Sequence, residues 1–153
     1  MPLFSGECPS TIDDKNRIIV PAKMRQAAGE DGEAGFYVTR GVDDCITIQT
    51  GARFEQTSAA TANEKIRQTA AGRMLERAIF SKAEFSKCDK QGRLLLPAKL
   101  LESLHIGKNV VIVGVNDRIE VWDAARWQAV LKEADQQLAQ RAEQIYGGPK
   151  EGA

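Results

Sequence analysis

Histidine is nearly absent from this chain of 153 residues: His105 is the only one, set in an apolar stretch just ahead of a glycine. One imidazole leaves few routes to general base chemistry, and these neighbours suit a helix end or a core position better than a catalytic one. Cysteine is scarce as well. Cys8, Cys45 and Cys88 are odd in number, widely spaced and free of any CxxC pair, which suits a reducing compartment and argues against zinc. The longest apolar run, 110–115, is far too short to cross a bilayer. The opening "MPLFSGE" has no basic segment leading into a hydrophobic one, so no signal peptide is expected. HExxH, GxSxG and Walker-type motifs are missing. "GEDGEAG" (29–35) is glycine-rich but lacks the lysine and the strand-to-helix setting of a phosphate cradle, and reads as a surface loop. These absences point away from an enzyme, a cofactor or metal protein and a membrane protein. Excess charge is lacking too: 21 basic residues balance 21 acidic ones. That excludes coating nucleic acid by bulk electrostatics, but not a reader that gathers cations at one small surface.

What the chain does have is a repeat. With 27% charged and 42% apolar residues it is globular in composition and about one domain long. Within it, "DDKNRIIVP" (13–21) returns as "DKQGRLLLP" (89–97), so that Asp13, Arg17, Pro21, Ala22 and Lys23 align with Asp89, Arg93, Pro97, Ala98 and Lys99. After a slip of three residues, "GVDDCITI" (41–48) matches "GVNDRIEV" (114–121). The slip falls where the first copy carries "GEDGEAG" and the second the compact "HIGKN".

Each copy reads as strand, turn, strand, short helix and hairpin. "RIIV" and "RLLL" are short apolar runs suited to buried strands. Pro21 and Pro97 fit the first helical position, where a missing N–H costs nothing, although neither is preceded by a capping side chain. "FYVTRGVDDCITIQ" and "NVVIVGVNDRIEVW" follow as hairpins with Asp/Asn-bearing turns. A unit of about forty-five residues buries too little apolar surface to fold alone, so the two are expected to share a core in one pseudo-twofold, β-rich body. Between them, 52–80 is helical in pattern. The capping-box spacing Thr61 to Glu64 predicts a helix start near Thr61, with Ile66, Ala70, Met74 and Ala78 along one face and Gly72 as a weak point. A long final helix carries Trp127, Val130, Leu131, Ala134, Leu138 and Ile145 on one stripe, stops at "YGGP", and is followed by a loose tail.

The chemistry lies in the repeated loop. Its fourth position is Asn16 in one copy and Gly92 in the other, the residues that most readily adopt a left-handed backbone, so a tight turn with positive φ is expected in both. Asp13 and Asp89 would shape the loops by bonding backbone N–H groups. A single Asp–Arg pair reads more simply as a structural contact. Two in register, with cations nearby, favour arginines that reach a partner with their planar donor forks. Arg17 and Arg93 then form a double probe for a DNA major groove, where arginine to guanine is the commonest specific contact. Lys15 lies inside the first loop, and Lys23, Arg25, Lys90 and Lys99 stand nearby as phosphate contacts.

"FSGE", "DDKNRIIVPAKMR", "FYVTRGVDDCITI", "RAIFSKAEFSKCDKQGRLLLPAKL" and "VIVGVNDRIEVWDAARW" together resemble the MraZ family over residues 3–127, and each half resembles an AbrB-type swapped-hairpin DNA-binding unit. The resemblance implies an α+β fold with a mostly β core, a pseudo-twofold double-split β-barrel with flanking helices. Its divisions would be a first unit (5–51), a helical connector (52–82), a second unit (83–126) and a C-terminal helix and tail (127–153). It implies that Arg17 and Arg93, with Lys15 assisting, face double-stranded DNA. It further implies a ring-like homo-oligomer, in cytoplasm and nucleoid, that binds tandem G-containing promoter repeats and represses the bacterial division and cell-wall gene cluster. Two features depart from the family: Asn16 stands where glycine is usual, and "CPST" precedes the first loop.

Two other readings compete with DNA recognition by the loops. The Trp127 stripe could build a subunit interface in an oligomeric structural or partner-binding protein that never touches DNA. Arg67, Arg73 and Arg77 could charge a helix-turn-helix reader within 52–80, but that segment lacks a clear recognition helix with exposed polar N-terminal residues, and solvated helix faces explain these arginines more simply.

Overall fold

The computed structural model describes residues 2–147. The first copy comprises β1 (Glu7–Thr11), β2 (Arg17–Ile19), α1 (Ala22–Ala34), β3 (Phe36–Arg40) and β4 (Ile46–Thr50). Three helices follow, α2 (Gly51–Thr61), α3 (Glu64–Arg67) and α4 (Ala70–Phe80). The second copy comprises β5 (Glu84–Ser86), β6 (Arg93–Leu95), α5 (Ala98–Ser103), β7 (Asn109–Val115) and β8 (Arg118–Asp123), and α6 (Ala124–Tyr146) closes the order.

Six strands make one antiparallel sheet in the order β1-β7-β8-β4-β3-β5, and β2 pairs with β6 as a separate ribbon. The sheet order is a palindrome of the two copies. At its centre, Ile46 faces Val121, Thr47 faces Glu120 and Ile48 faces Ile119. Since 46–48 correspond to 119–121 in the repeat, this register maps onto itself when the copies are exchanged. The ribbon does the same: Arg17 faces Leu95, Ile18 faces Leu94 and Ile19 faces Arg93. Outer strands cross between copies, β1 pairing with β7 and β5 with β3. The expected pseudo-twofold body with one shared core is therefore present. The sheet of the double-split barrel that the resemblance implies is not closed: it is open, with β1 and β5 at its edges.

A single core ties these layers together. Ile18 and Leu94 point inward from the ribbon onto Phe36, Val38, Ile46, Ile48, Ile112 and Ile119 of the sheet. Cys45 belongs to a smaller cluster with Val111, Val113 and Trp122, where burial pushes its thiol up to about 12 and keeps it neutral. The connector helices attach through aromatic contacts. Phe54 stacks on Tyr37 with centroids 4.1 Å apart and meets Phe80 at 5.6 Å.

Several local expectations shift. Pro21 and Pro97 occupy the N-cap, one position early, with carbonyls that accept the first helical bonds. The stretch read as a surface loop is partly helical, because α1 resumes after a break at Gly29 and runs to Ala34. Thr61 ends a helix rather than starting one: its hydroxyl donates to the Thr57 carbonyl, while the Asn63 side chain accepts from the Lys65 N–H and caps α3. Asparagine is the better cap, and it sits two residues on. The proposed face 66–78 is consequently broken at Thr69, which caps α4, and Met74 is exposed. Gly72 is no mere weak point. A Cβ there would run into the Ile66 carbonyl, so the missing side chain is what lets α3 lie against α4.

The final stripe packs only over its first half. Trp127 and Val130 lie on the smaller core cluster, whereas Leu138 and Ile145 face outward. The helix ends at Tyr146, as expected, and the loose tail predicted beyond it lies outside the described residues. His105 is exposed at the C-terminus of α5 with φ 53°, the left-handed residue of a Schellman close in which the Ile106 N–H reaches the Leu101 carbonyl at 3.0 Å. No helix among the described residues is long and apolar enough to cross a membrane.

Candidate nucleic-acid interface

The two loops are built identically, bond for bond. In the first, Asp13 Oδ1 accepts from the backbone N–H groups of Lys15 and Arg17, both at 2.9 Å, and Oδ2 accepts from Arg17 Nε at 2.8 Å. In the second, Asp89 Oδ1 accepts from Gln91 and Arg93 at 2.9 Å, and Oδ2 from Arg93 Nε at 2.6 Å. Backbone bonds close each turn: Asn16 N–H to the Asp13 carbonyl and Gly92 N–H to the Asp89 carbonyl, each at 3.0 Å. As the sequence predicts, the fourth residue is left-handed in both, with φ 61° at Asn16 and 81° at Gly92.

The loops also hold each other. Val20 N–H donates to the Gly92 carbonyl at 2.9 Å, and Leu96 N–H donates to the Asn16 carbonyl at 2.8 Å. Each left-handed residue thus anchors the strand of the opposite copy. The difference between asparagine and glycine has a steric cause. A Cβ on Gly92 would sit 2.7 Å from the Arg25 guanidinium carbon. At the matching place beside Asn16 the repeat has Leu101, which lines a shallow groove with it.

Each aspartate is held below its ordinary value of 3.8, chiefly by the backbone N–H of the arginine four residues on, with the guanidinium adding to it. A depressed carboxylate stabilises the loop fully above its unfolded value, and that contribution is lost as pH falls through the folded one. The backbone amide resonances of Lys15, Arg17, Gln91 and Arg93 should therefore hold steady in an NMR titration from pH 7 to pH 5 and move together only below 3.8. Movement centred above pH 5 would contradict the loop geometry.

Neither arginine is sealed in. The side chains keep 25% exposure at Arg17 and 33% at Arg93. In each, Nε is committed to the loop aspartate, while the two Nη groups make no hydrogen bond among the described residues. Side chains alternate along a strand. With Ile18 and Leu94 pointing inward, Arg17 and Arg93 lie on one outer face of the ribbon, diagonally placed about its centre. Lys15 and Lys90 are exposed in the loops at either end, and Lys23 and Lys99 are exposed on α1 and α5. Arg25 differs from these: its Nε donates to the Val20 carbonyl at 3.0 Å, and the group packs beside Gly92.

Sequence reasoning overlooked the other half of this face. Ile19 and Leu95 are 57% and 48% exposed, beside Arg93 and Arg17 across the ribbon. Strict alternation from the buried Ile18 and Leu94 was the signal that could have found them. Elsewhere several charges pair with one another, although Arg53 Nε is buried without a hydrogen-bond partner among the described residues. Arg53 pairs with Asp117, and Arg118 pairs with Asp117 and Glu120, around a cleft of about 270 Å³. On the connector, Arg67 pairs with Glu76 and Arg73 donates to the Arg67 carbonyl, as solvated helix faces do. Among the described residues no cluster of His, Cys, Asp or Glu could hold a metal ion.

The fold and site define a class: a fused pair of like units that lock two arginine-bearing turns onto one two-stranded ribbon. Comparison with known proteins is in keeping with that duplication. The family model described as "MraZ protein, putative antitoxin-like" matches twice, over residues 3–78 and 79–146. A transcriptional regulator MraZ from Symbiobacterium thermophilum is 40% identical over 144 residues, covering 92% of this chain and 98% of the relative. Proteins of the same name from Moorella thermoacetica and Desulfitobacterium hafniense strain Y51 are 35% and 37% identical over 147 residues, each covering 94% of this chain and 96% of the relative. The chain belongs to the MraZ family.

Proposed function

We propose that the chain is a sequence-specific, DNA-binding transcriptional regulator that represses its target genes through tandem promoter repeats. One observation carries this reading: the self-complementary ribbon register, which sets Arg17 and Arg93 on a single exposed face with their outer nitrogens unspent. A two-stranded β-ribbon fits the major groove, and arginine forks suit guanine there. Asp13, Asn16, Asp89 and Gly92 shape the turns, Lys15 assists, and Lys23, Lys90 and Lys99 take phosphates. Arg25 is the weakest of the phosphate contacts, given its bond to Val20. The relatives' name, transcriptional regulator, supports the same reading.

The functional body is the swapped-hairpin pair, divided at 5–51, 52–82, 83–126 and 127–153, and the exchange of outer strands between copies supports it. It acts as a ring-like homo-oligomer. The outward Leu138, Ile145 and Tyr146 of α6 supply apolar surface for that assembly. Two loops per chain are too few for a tight complex, and several chains on several repeats raise the effective affinity by ~10²–10⁴-fold.

Gel retardation and footprinting on the duplex upstream of its own gene test the proposal. Protection of several G-containing repeats, steep weakening with salt and poor binding to a single repeat are the expected results. Equal affinity for one repeat and for many would remove the assembly from the mechanism, and no protection would remove DNA recognition altogether.

A further inference from the structure

Two large apolar side chains stand on the ribbon's outer face although the core lies directly beneath them. Ile19 and Leu95 are more exposed than the arginines they flank, and each is the cross-strand partner of one, Leu95 of Arg17 and Ile19 of Arg93. Removing them from water against their own chain would have required the opposite register, and the buried Ile18 and Leu94 already fill that place. They are not part of a broad greasy patch, because Arg17 and Arg93 occupy the alternate corners and Lys15 and Lys90 rim the ends. A protein partner would have to match the Nη groups that Asp13 and Asp89 leave unbonded and cover the apolar pair between them. A DNA groove supplies both needs, phosphates and guanine acceptors for the cations and thymine C5-methyl groups for the apolar pair.

Resting on the proposed DNA recognition, the geometry points to Ile19 and Leu95 as specificity-determining residues that read thymine methyl groups beside the guanines taken by Arg93 and Arg17. Cross-strand neighbours lie ~5 Å apart at Cβ, against ~3.4 Å per base step. Each arginine–apolar pair therefore spans one to two steps, and the preferred site has a thymine within that distance of each guanine, on either strand. Guanidinium forks alone would be indifferent to it.

The test removes the methyl and leaves the hydrogen bonds. The duplex upstream of the chain's own gene is amplified with dTTP or with dUTP, and the full-length protein is titrated onto both. Loss of about fourfold in affinity per methyl is expected, the transfer free energy of one methyl-sized group, and about fifteenfold where both residues of a chain are engaged. Ile19→Ser with Leu95→Ser should bind the two duplexes equally while keeping the salt dependence of the parent. Both positions are exposed, and circular dichroism of the variant checks that the fold persists. Three results overturn the inference. Parent binding to thymine and uracil duplexes alike does so while DNA recognition by the arginines stands. An undiminished preference for thymine in the double variant assigns the methyl reading to other residues. Failure of the parent to bind the thymine duplex sinks the underlying reading as well.

Discussion

Arg17→Ala should weaken binding to the upstream duplex by about 5- to 150-fold, the range for one lost bidentate arginine–guanine pair. Arg93→Ala should fall in the same range, since its turn repeats the first bond for bond. Both together should leave only the sequence-independent affinity, roughly 10⁻⁴–10⁻⁶ M at physiological salt. The fold should survive. Asp13 keeps its bonds to the Lys15 and Arg17 backbones when the guanidinium is gone, and a solvent-exposed ion pair contributes little to stability. Arg17→Lys is the informative companion: charge is retained, but the planar fork is not. It should rescue little of the specificity and most of the salt dependence. Lys15→Ala, by contrast, should weaken all sequences alike and lower the salt slope by about one. Titrations at several salt concentrations separate these outcomes, and an Arg17→Ala protein within twofold of the parent would move recognition to another surface.

The second large effect is on stability. Ile18→Ala and Leu94→Ala each empty a fully enclosed position at the middle of the ribbon, where the two residues face each other. Each should cost about 2–5 kcal/mol, since the cavity left behind adds to the lost transfer energy. Urea unfolding of the two single variants and the double variant measures both the costs and their coupling. Because the residues are register partners, the double variant should depart from additivity by ~0.5–3 kcal/mol. Costs under 1 kcal/mol would mean that the ribbon is not seated on the sheet. The two series also serve as mutual controls: arginine variants should change binding with the melt intact, and core variants should change the melt first.

Much of this was legible before any coordinates. Two copies of an Asp-x-x-x-Arg turn predict the shared hydrogen-bond pattern, because an aspartate ahead of a left-handed residue has few other partners. The apolar runs predict the strands but not that β2 and β6 are buried on one face only, and the shared core follows from units too small to stand alone. What escaped was set by contacts distant in sequence. Nothing local tells that the sheet stays open at β1 and β5, or that Gly72 is small because Ile66 folds back onto it. Thr61 and Asn63 are both able caps, and the helix that runs up to Thr61 decides between them. At the site, residue types revealed the arginines, but the exposure of Ile19 and Leu95 needed the register. The commitment of Arg25 to the Val20 carbonyl likewise depends on the path of β2 into α1.

The reciprocal bonds between the turns, Val20 to Gly92 and Leu96 to Asn16, join halves that are alike without being equal. Ile19 answers to Leu95, Asn16 to Gly92 and Arg25 to Leu101. A homodimer of identical subunits looks the same from either direction along a duplex and is matched to palindromes. This body has a front and a back. If the ribbon reads DNA as proposed above, turning it end for end would offer leucine where isoleucine stood, and head-to-tail motifs read in one sense only would suit it best.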